Sequence, residues 1–197
     1  MTTRRWIVGN LCEMWARRSG DGFLRCADGH YRWGVFGAAG VLFVVGPALQ
    51  EPLVMLQKRS PMAHEGGTWS CAGGAMDEGE SVYEAAMREA GEEVGEIPER
   101  HHVLGQYVFQ PADDWSYTTL VVEVDHHFGV SMNFETDAVV WVPLDLVERR
   151  QLHPGFAAAW PHLRALAEQA TGVPDDHVHG QKPPVGRVPL GVAWYLL

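Results

Sequence analysis

Residues 36–45 form a run of small and apolar residues with no polar alternation, and residues 53–57 repeat the pattern more briefly. Such runs read as buried strands, with Gly46–Pro47 as the turn between them. From Ser60 to Glu80 neither a two-residue nor a 3.6-residue period is present, and five glycines punctuate the stretch. It reads as a long loop, and a loop of that length inside a compact domain is usually functional.

The period then changes. Ser81 and Glu84 have the spacing of a capping box, which predicts a helix from about Val82. Tyr83, Met87, Ala90 and Val94 make an apolar stripe along it. Glu89, Glu92, Glu93 and Glu96 fall in a sector about 100° wide, turned well away from that stripe. Further on, 103–109, 117–124 and 138–142 are rich in β-branched and aromatic residues and read as strands. Residues 144–150 and 157–170 read as helical, with Pro161 marking a kink or a new start. The organisation expected is an N-terminal extension over 1–34 with one or two short strands, packed on a domain over 35–170. A Pro/Gly-rich tail over 171–197 ends in an apolar stretch at 192–197. Strands surrounding a few helices predict an α/β (α+β) sandwich.

Composition narrows the class. A chain of 197 residues with 46% hydrophobic residues can build one core unaided. No apolar run reaches the roughly 20 unbroken residues of a membrane span, and the apolar stretch after Arg4–Arg5 breaks too early for a signal peptide, so a cytoplasmic protein is expected. Cys12, Cys26 and Cys71 make no even framework and read as reduced thiols. Cys26 with His30, and His177 with His179, read as packing or loop residues in preference to zinc ligands. The net charge of −10 counts against a nucleic-acid polymer as partner. Residues 77–96 hold eight acids against the single base Arg88, and 17 acids against 14 bases make up the rest, so the acidity is a local device.

Carboxylates one helical turn apart repel one another by a few tenths of a kcal/mol per pair, and burial multiplies the cost, so a cation is expected among them. Oxygen-only ligation suits Mg²⁺ or Mn²⁺, with Ca²⁺ in the same class, and Mg²⁺ so held completes its shell with waters and substrate phosphates. The chemistry this allows is metal-assisted attack of water on phosphorus.

Gly74, five residues, Glu80, seven residues and then Arg88-Glu89-Ala90-Gly91-Glu92-Glu93-Val94-Gly95 resembles the Nudix box, with every fixed residue at its spacing. Looser likeness runs from about Ala38 to Leu163. Ala72 stands where a proline is common, Ala90 is small for its place, and Glu96 takes a position that is usually apolar. Gly91 costs the helix up to about 1 kcal/mol.

The resemblance implies an α/β/α sandwich with a mixed sheet and a MutT-like pyrophosphohydrolase. It further implies that Glu89, Glu92 and Glu93 hold Mg²⁺ or Mn²⁺ with the Gly74 carbonyl, that Arg88 and Glu80 pair to orient them, and that Gly95 belongs to the box framework. Glu89, Glu93 and the loop residue Glu135 compete as general base. For the substrate, Lys58 and Arg59 are placed to take a phosphate, and Trp115 and Tyr117, with Trp69 and Phe109, to stack a ring. The expected substrate is a small nucleotide, first a nucleoside triphosphate or its oxidised form, cleaved to monophosphate and pyrophosphate. The alternatives are ADP-ribose, for which Pro111 is a weak marker, a nucleotide sugar, or a module that senses a nucleotide without cleaving it. A bland acidic helix with no metal is the remaining reading. A homodimer is a family-level expectation that the apolar carboxyl end would serve.

Overall fold

A computed structural model describes residues 17–46, 51–62, 65–130 and 136–173. Among these the chain forms β1 (Phe23–Arg25), β2 (Tyr31–Trp33), β3 (Ala38–Val45), β4 (Leu53–Arg59), β5 (Trp69–Ser70), β6 (Ala72–Ala75) and α1 (Val82–Val94). There follow β7 (His101–Ala112), β8 (Trp115–Val124), β9 (Thr136–Pro143), a 3₁₀ helix (Leu144–Arg149) and α2 (Pro154–Ala167).

β3 is the axis of a mixed sheet. One edge runs parallel to β8 from Ala38 beside Tyr117 to Val45 beside Val124. Its other edge is shared, Ala38–Val41 pairing with β6 and Val44–Val45 with β4, both antiparallel. β4 therefore diverges from β3, and residues 69–75 fill the gap, β5 lying against Gln57 and Lys58 of β4. β9 covers the far edge of β4, and β7 that of β8.

Strand alternation divides the apolar side chains between two layers. Val41, Phe43, Met55, Leu120 and Val122 pack against Ala85, Ala86, Ala90 and Val94 of α1. Leu42, Val44, Val54, Leu56 and Val121 pack on the opposite face against Phe156, Trp160 and Leu163 of α2. A strand covered on both faces needs no polar alternation, which is why β3 reads as one continuous apolar run.

Several expectations are corrected by tertiary context. The stretch from Ser60 to Glu80 contains β5 and β6, whose two- and four-residue lengths and paired glycines leave no periodic signature. α2 starts at Pro154, three residues early, behind a His153 cap, and continues through Pro161 to end at Ala167. The segment after β9 is 3₁₀ rather than α. α1 begins where predicted and packs the expected stripe, Ala90 and Val94 fully buried and Tyr83 and Met87 partly buried against the same core, while Ala85, Ala86 and Glu93 are buried as well. Gly95, at φ 95°, closes the helix, so Glu96 lies beyond it and off the acidic sector. The N-terminal region supplies β1 and β2, which among the described residues pair only with each other. Cys12, the Gly46–Pro47 turn beyond Gly46, Glu135, His177, His179 and the tail from Pro174 with its dimer expectation lie outside the described residues.

Candidate active site

The start of α1 is fixed before the site is built. The Ser81 hydroxyl accepts from the Glu84 amide and the Glu84 carboxylate accepts from the Ser81 amide, closing the capping box. One turn later Arg88 reaches back to the preceding loop. Its Nε and Nη2 donate to the two oxygens of Glu80 at 3.0 and 2.9 Å, and Nη2 also donates to the Ala75 carbonyl at 2.9 Å. The Glu80 carboxyl is buried, and the Arg88 guanidinium beside it holds it below the usual carboxylate range. The Arg88–Glu80 pair that the resemblance implied thus ties the helix to β6 and its following loop. Its remaining nitrogen, Nη1, donates to Glu89 Oε1 at 2.8 Å and lies 3.7 Å from Glu92.

Glu89 and Glu93 face β6 rather than solvent. Oε2 of Glu93 accepts from the Gly73 amide at 2.9 Å and from Gln57 Nε2 at 3.0 Å. Glu93 is only 6% exposed, and burial pushes its carboxyl up to about 7, against the pull of those two donors. Burial raises Glu89 as well, with Arg88 opposing. A Cβ on Gly74 would lie 2.3 Å from Glu89 Oε2, so the absence of a side chain there lets the helix carboxylate approach the strand backbone. Glu92 remains 61% exposed at the rim.

These oxygens fit a hard divalent cation. The donor set is carboxylate and carbonyl only, and burial makes ionisation costly for Glu93 and, even with Arg88 against it, for Glu89. Among the described residues no group of three or more His, Cys, Asp or Glu side chains is gathered closely enough to hold a metal ion by itself.

The carboxylates open into a cavity of about 880 Å³, at the upper end of the range for small-molecule sites. Of the other residues singled out from the sequence, Arg59, Trp115, Tyr117 and Phe109 line it. Lys58 does not, being paired with Asp137 at 2.8 Å. Trp115 is 2% exposed and its indole N–H donates to the carbonyls of Trp33 and Gly34, so it is part of a packed wall rather than an open plate. Burial, with the Cys71 and Glu93 charges adding, pushes the Tyr117 phenol well above its ordinary range. Trp69 lies elsewhere, under the Arg150 guanidinium at 4.4 Å. Sequence reasoning missed Gln57, which sits in an apolar strand run, and Gly73. It also missed Phe23, Arg32 and Trp33, for which no spacing signal exists, because β1 and β2 reach the cavity only through tertiary contacts.

The layered fold and the carboxylate-lined cavity define a class, and comparison with known proteins agrees with it. The NUDIX domain family model matches residues 36–166. A Mycobacterium tuberculosis protein bearing the provisional name 8-oxo-dGTP diphosphatase 3 is 39% identical over 153 residues, covering 75% of this chain and 70% of that protein. The crystal structure of the Nudix hydrolase RenU from M. smegmatis superposes with a TM-score of 0.68 at 36% identity, covering 75% of this chain and 94% of that one. The NUDIX domain of Shewanella oneidensis NrtR, solved with ADP ribose, shares the fold at 17% identity and a TM-score of 0.52, over 68% of this chain and 89% of that one. The chain belongs to the Nudix family, and it is a pyrophosphohydrolase of that family. No helix among the described residues is long and apolar enough to cross a membrane.

Proposed function

We propose that this enzyme cleaves a nucleoside triphosphate to monophosphate and pyrophosphate, with an oxidised guanine deoxynucleotide as its first substrate and Mg²⁺ or Mn²⁺ as its cofactor. The observation that carries the reading is the burial of Glu89 and Glu93 against Gly73–Gly74 at the wall of a nucleotide-sized cavity. Its substrate is supported by the name of the mycobacterial relative.

In this reading Glu89, Glu92, Glu93 and the Gly74 carbonyl hold the ion, which supplies phosphoryl polarisation and leaving-group neutralisation. Arg88, braced on Glu80 and Ala75, orients Glu89 through Nη1. Gln57 and the Gly73 amide grip Glu93 through Oε2 and so fix the plane of its carboxyl. Arg59 takes a phosphate at the end of β4. Water loses its proton to Glu89 or Glu93, groups that burial moves toward neutrality and hence toward the range useful to a general base.

Release of pyrophosphate and phosphate from nucleoside triphosphates, 8-oxo-dGTP, ADP-ribose and nucleotide sugars tests the assignment. Turnover is expected to need Mg²⁺ or Mn²⁺ and to fall by about 100-fold or more in Glu92→Gln and Glu93→Gln, several kcal/mol of transition-state stabilisation being at stake. Metal-independent turnover, or full activity in both variants, would sink the site. Best activity on ADP-ribose would transfer the substrate, and thermal stabilisation by a nucleotide with no turnover would make the chain a sensor.

A further inference from the structure

The β1–β2 ribbon precedes the segment matched by the family model, yet it forms one wall of the cavity. Both of its ends are fastened. At the base, the Gly20 amide donates to Asp77 Oδ1 at 2.9 Å and the Glu78 amide to the Arg18 carbonyl at 3.0 Å, which pins the ribbon to the loop before α1. At the tip, the Ala27 amide donates to the carboxylate of Asp114, in the β7–β8 turn, at 3.0 Å. The ribbon is thus a braced element of the site wall.

Alternation then decides what each face does. Leu24 and Arg32 point inward, Arg32 lying over the Trp115 ring at 5.4 Å and gripped by Asp28 through two hydrogen bonds of 2.8 and 2.7 Å. Phe23 and Trp33, paired across the ribbon, point outward. They meet edge to face at 5.2 Å and stay 63% and 39% exposed, and both line the cavity that holds Glu89 and Glu93. Two large aromatic side chains left in water at the mouth of a site form a surface that a flat ring can cover, and each ring buried this way returns hydrophobic and stacking energy.

We propose that the β1–β2 ribbon is the base-recognition element of this enzyme, the Phe23–Trp33 pair stacking the nucleobase of a nucleotide whose phosphates lie toward the α1 carboxylates. The proposal rests on the nucleotide reading of the site. It assigns specificity to a part of the chain outside the segment the family model matches.

Calorimetric titration of the full-length chain in Mg²⁺ tests it, with three probes: α,β-imido-dGTP, the α,β-methylene analogue of ADP-ribose, and inorganic tripolyphosphate, which has no base. Phe23→Ala and Trp33→Ala should each weaken the tighter-binding nucleotide analogue by about tenfold, the size of one base stack, while Trp33→Phe keeps most of the affinity. Tripolyphosphate binding should stay within about twofold of wild type in all three variants. Exposure of both side chains leaves the core untouched by truncation, and the Trp33 carbonyl that Trp115 uses remains. Unchanged nucleotide affinity in both alanine variants would overturn the ribbon's role while leaving the nucleotide site standing. Equal weakening of tripolyphosphate would overturn it too, because the ribbon would then act on the phosphate end. A wild-type protein that binds neither analogue would instead remove the nucleotide reading, and the platform with it.

Discussion

Glu93 is a carboxyl group held where water barely reaches, and its consequences are thermodynamic before they are catalytic. Burial lifts it to about 7 from an ordinary value of 4.5. Between those values the folded chain keeps a proton that the unfolded chain has lost, so stability falls as pH rises through the window and levels off above it. The full effect is about 3 kcal/mol, from the size of the shift. Glu93→Gln cannot ionise, and chelator-treated variant should lose less stability than wild type between pH 5.5 and pH 8 in urea titrations. Parallel losses would show that Glu93 is not the group responsible. The spacing of Glu89, Glu92 and Glu93 was legible from the chain, but the burial of Glu93 was not. A sector argument knows only the helix, and the surface opposite is Gly73–Gly74, which has no side chain to announce itself. Ala85 and Ala86 likewise join the buried face beside the predicted stripe, too small to have stood out as apolar positions of their own.

At the scale of elements, what is local in sequence was readable and what depends on partners was not. The capping box of α1 and the paired apolar runs of β3 and β4 declare themselves within a few residues. β5 and β6 exist because β3 and β4 diverge, and nothing within residues 69–75 encodes that divergence. The ribbon is of the second kind, and its attachment hinges on one residue. A Cβ on Gly20 would lie 1.8 Å from the Met76 carbonyl oxygen, which is backbone and cannot swing aside. Gly20→Ala should therefore pry β1–β2 from the loop before α1 and cost about 1–3 kcal/mol, the range for overpacking a tight site. Denaturant unfolding of the variant measures the cost, and hydrogen exchange at the Glu78 amide, which bonds Arg18, reports the detachment directly. Wild-type stability with unchanged protection of that amide would mean the contact is not a constraint.

For the molecule as a whole, the cavity is a junction of pieces that the sequence holds far apart: the ribbon, α1 with β6, and the start of α2, where His153 and Phe156 reach the wall. Of the eight acids in residues 77–96, Asp77, Glu89, Glu92 and Glu93 line it, with Arg88 the one base of that segment. A fold that gathers like charge stores repulsion, and a cation bound only by the folded state relieves it. Protons compete for the same oxygens, since a carboxyl raised to about 7 by burial must give up its proton before it can ligate. Stabilisation by Mg²⁺ should accordingly grow with pH. At about 100 times the dissociation constant the gain is about 2.7 kcal/mol. In a domain of this size that moves the melting temperature by about 5–10 °C. Scanning calorimetry with Mg²⁺ or with chelator should give a shift of that order at pH 8 and a clearly smaller one at pH 5.5. A shift that is equal at the two pH values would detach the ion from Glu93, and no shift at either would leave the acidic wall without the cation its charge calls for.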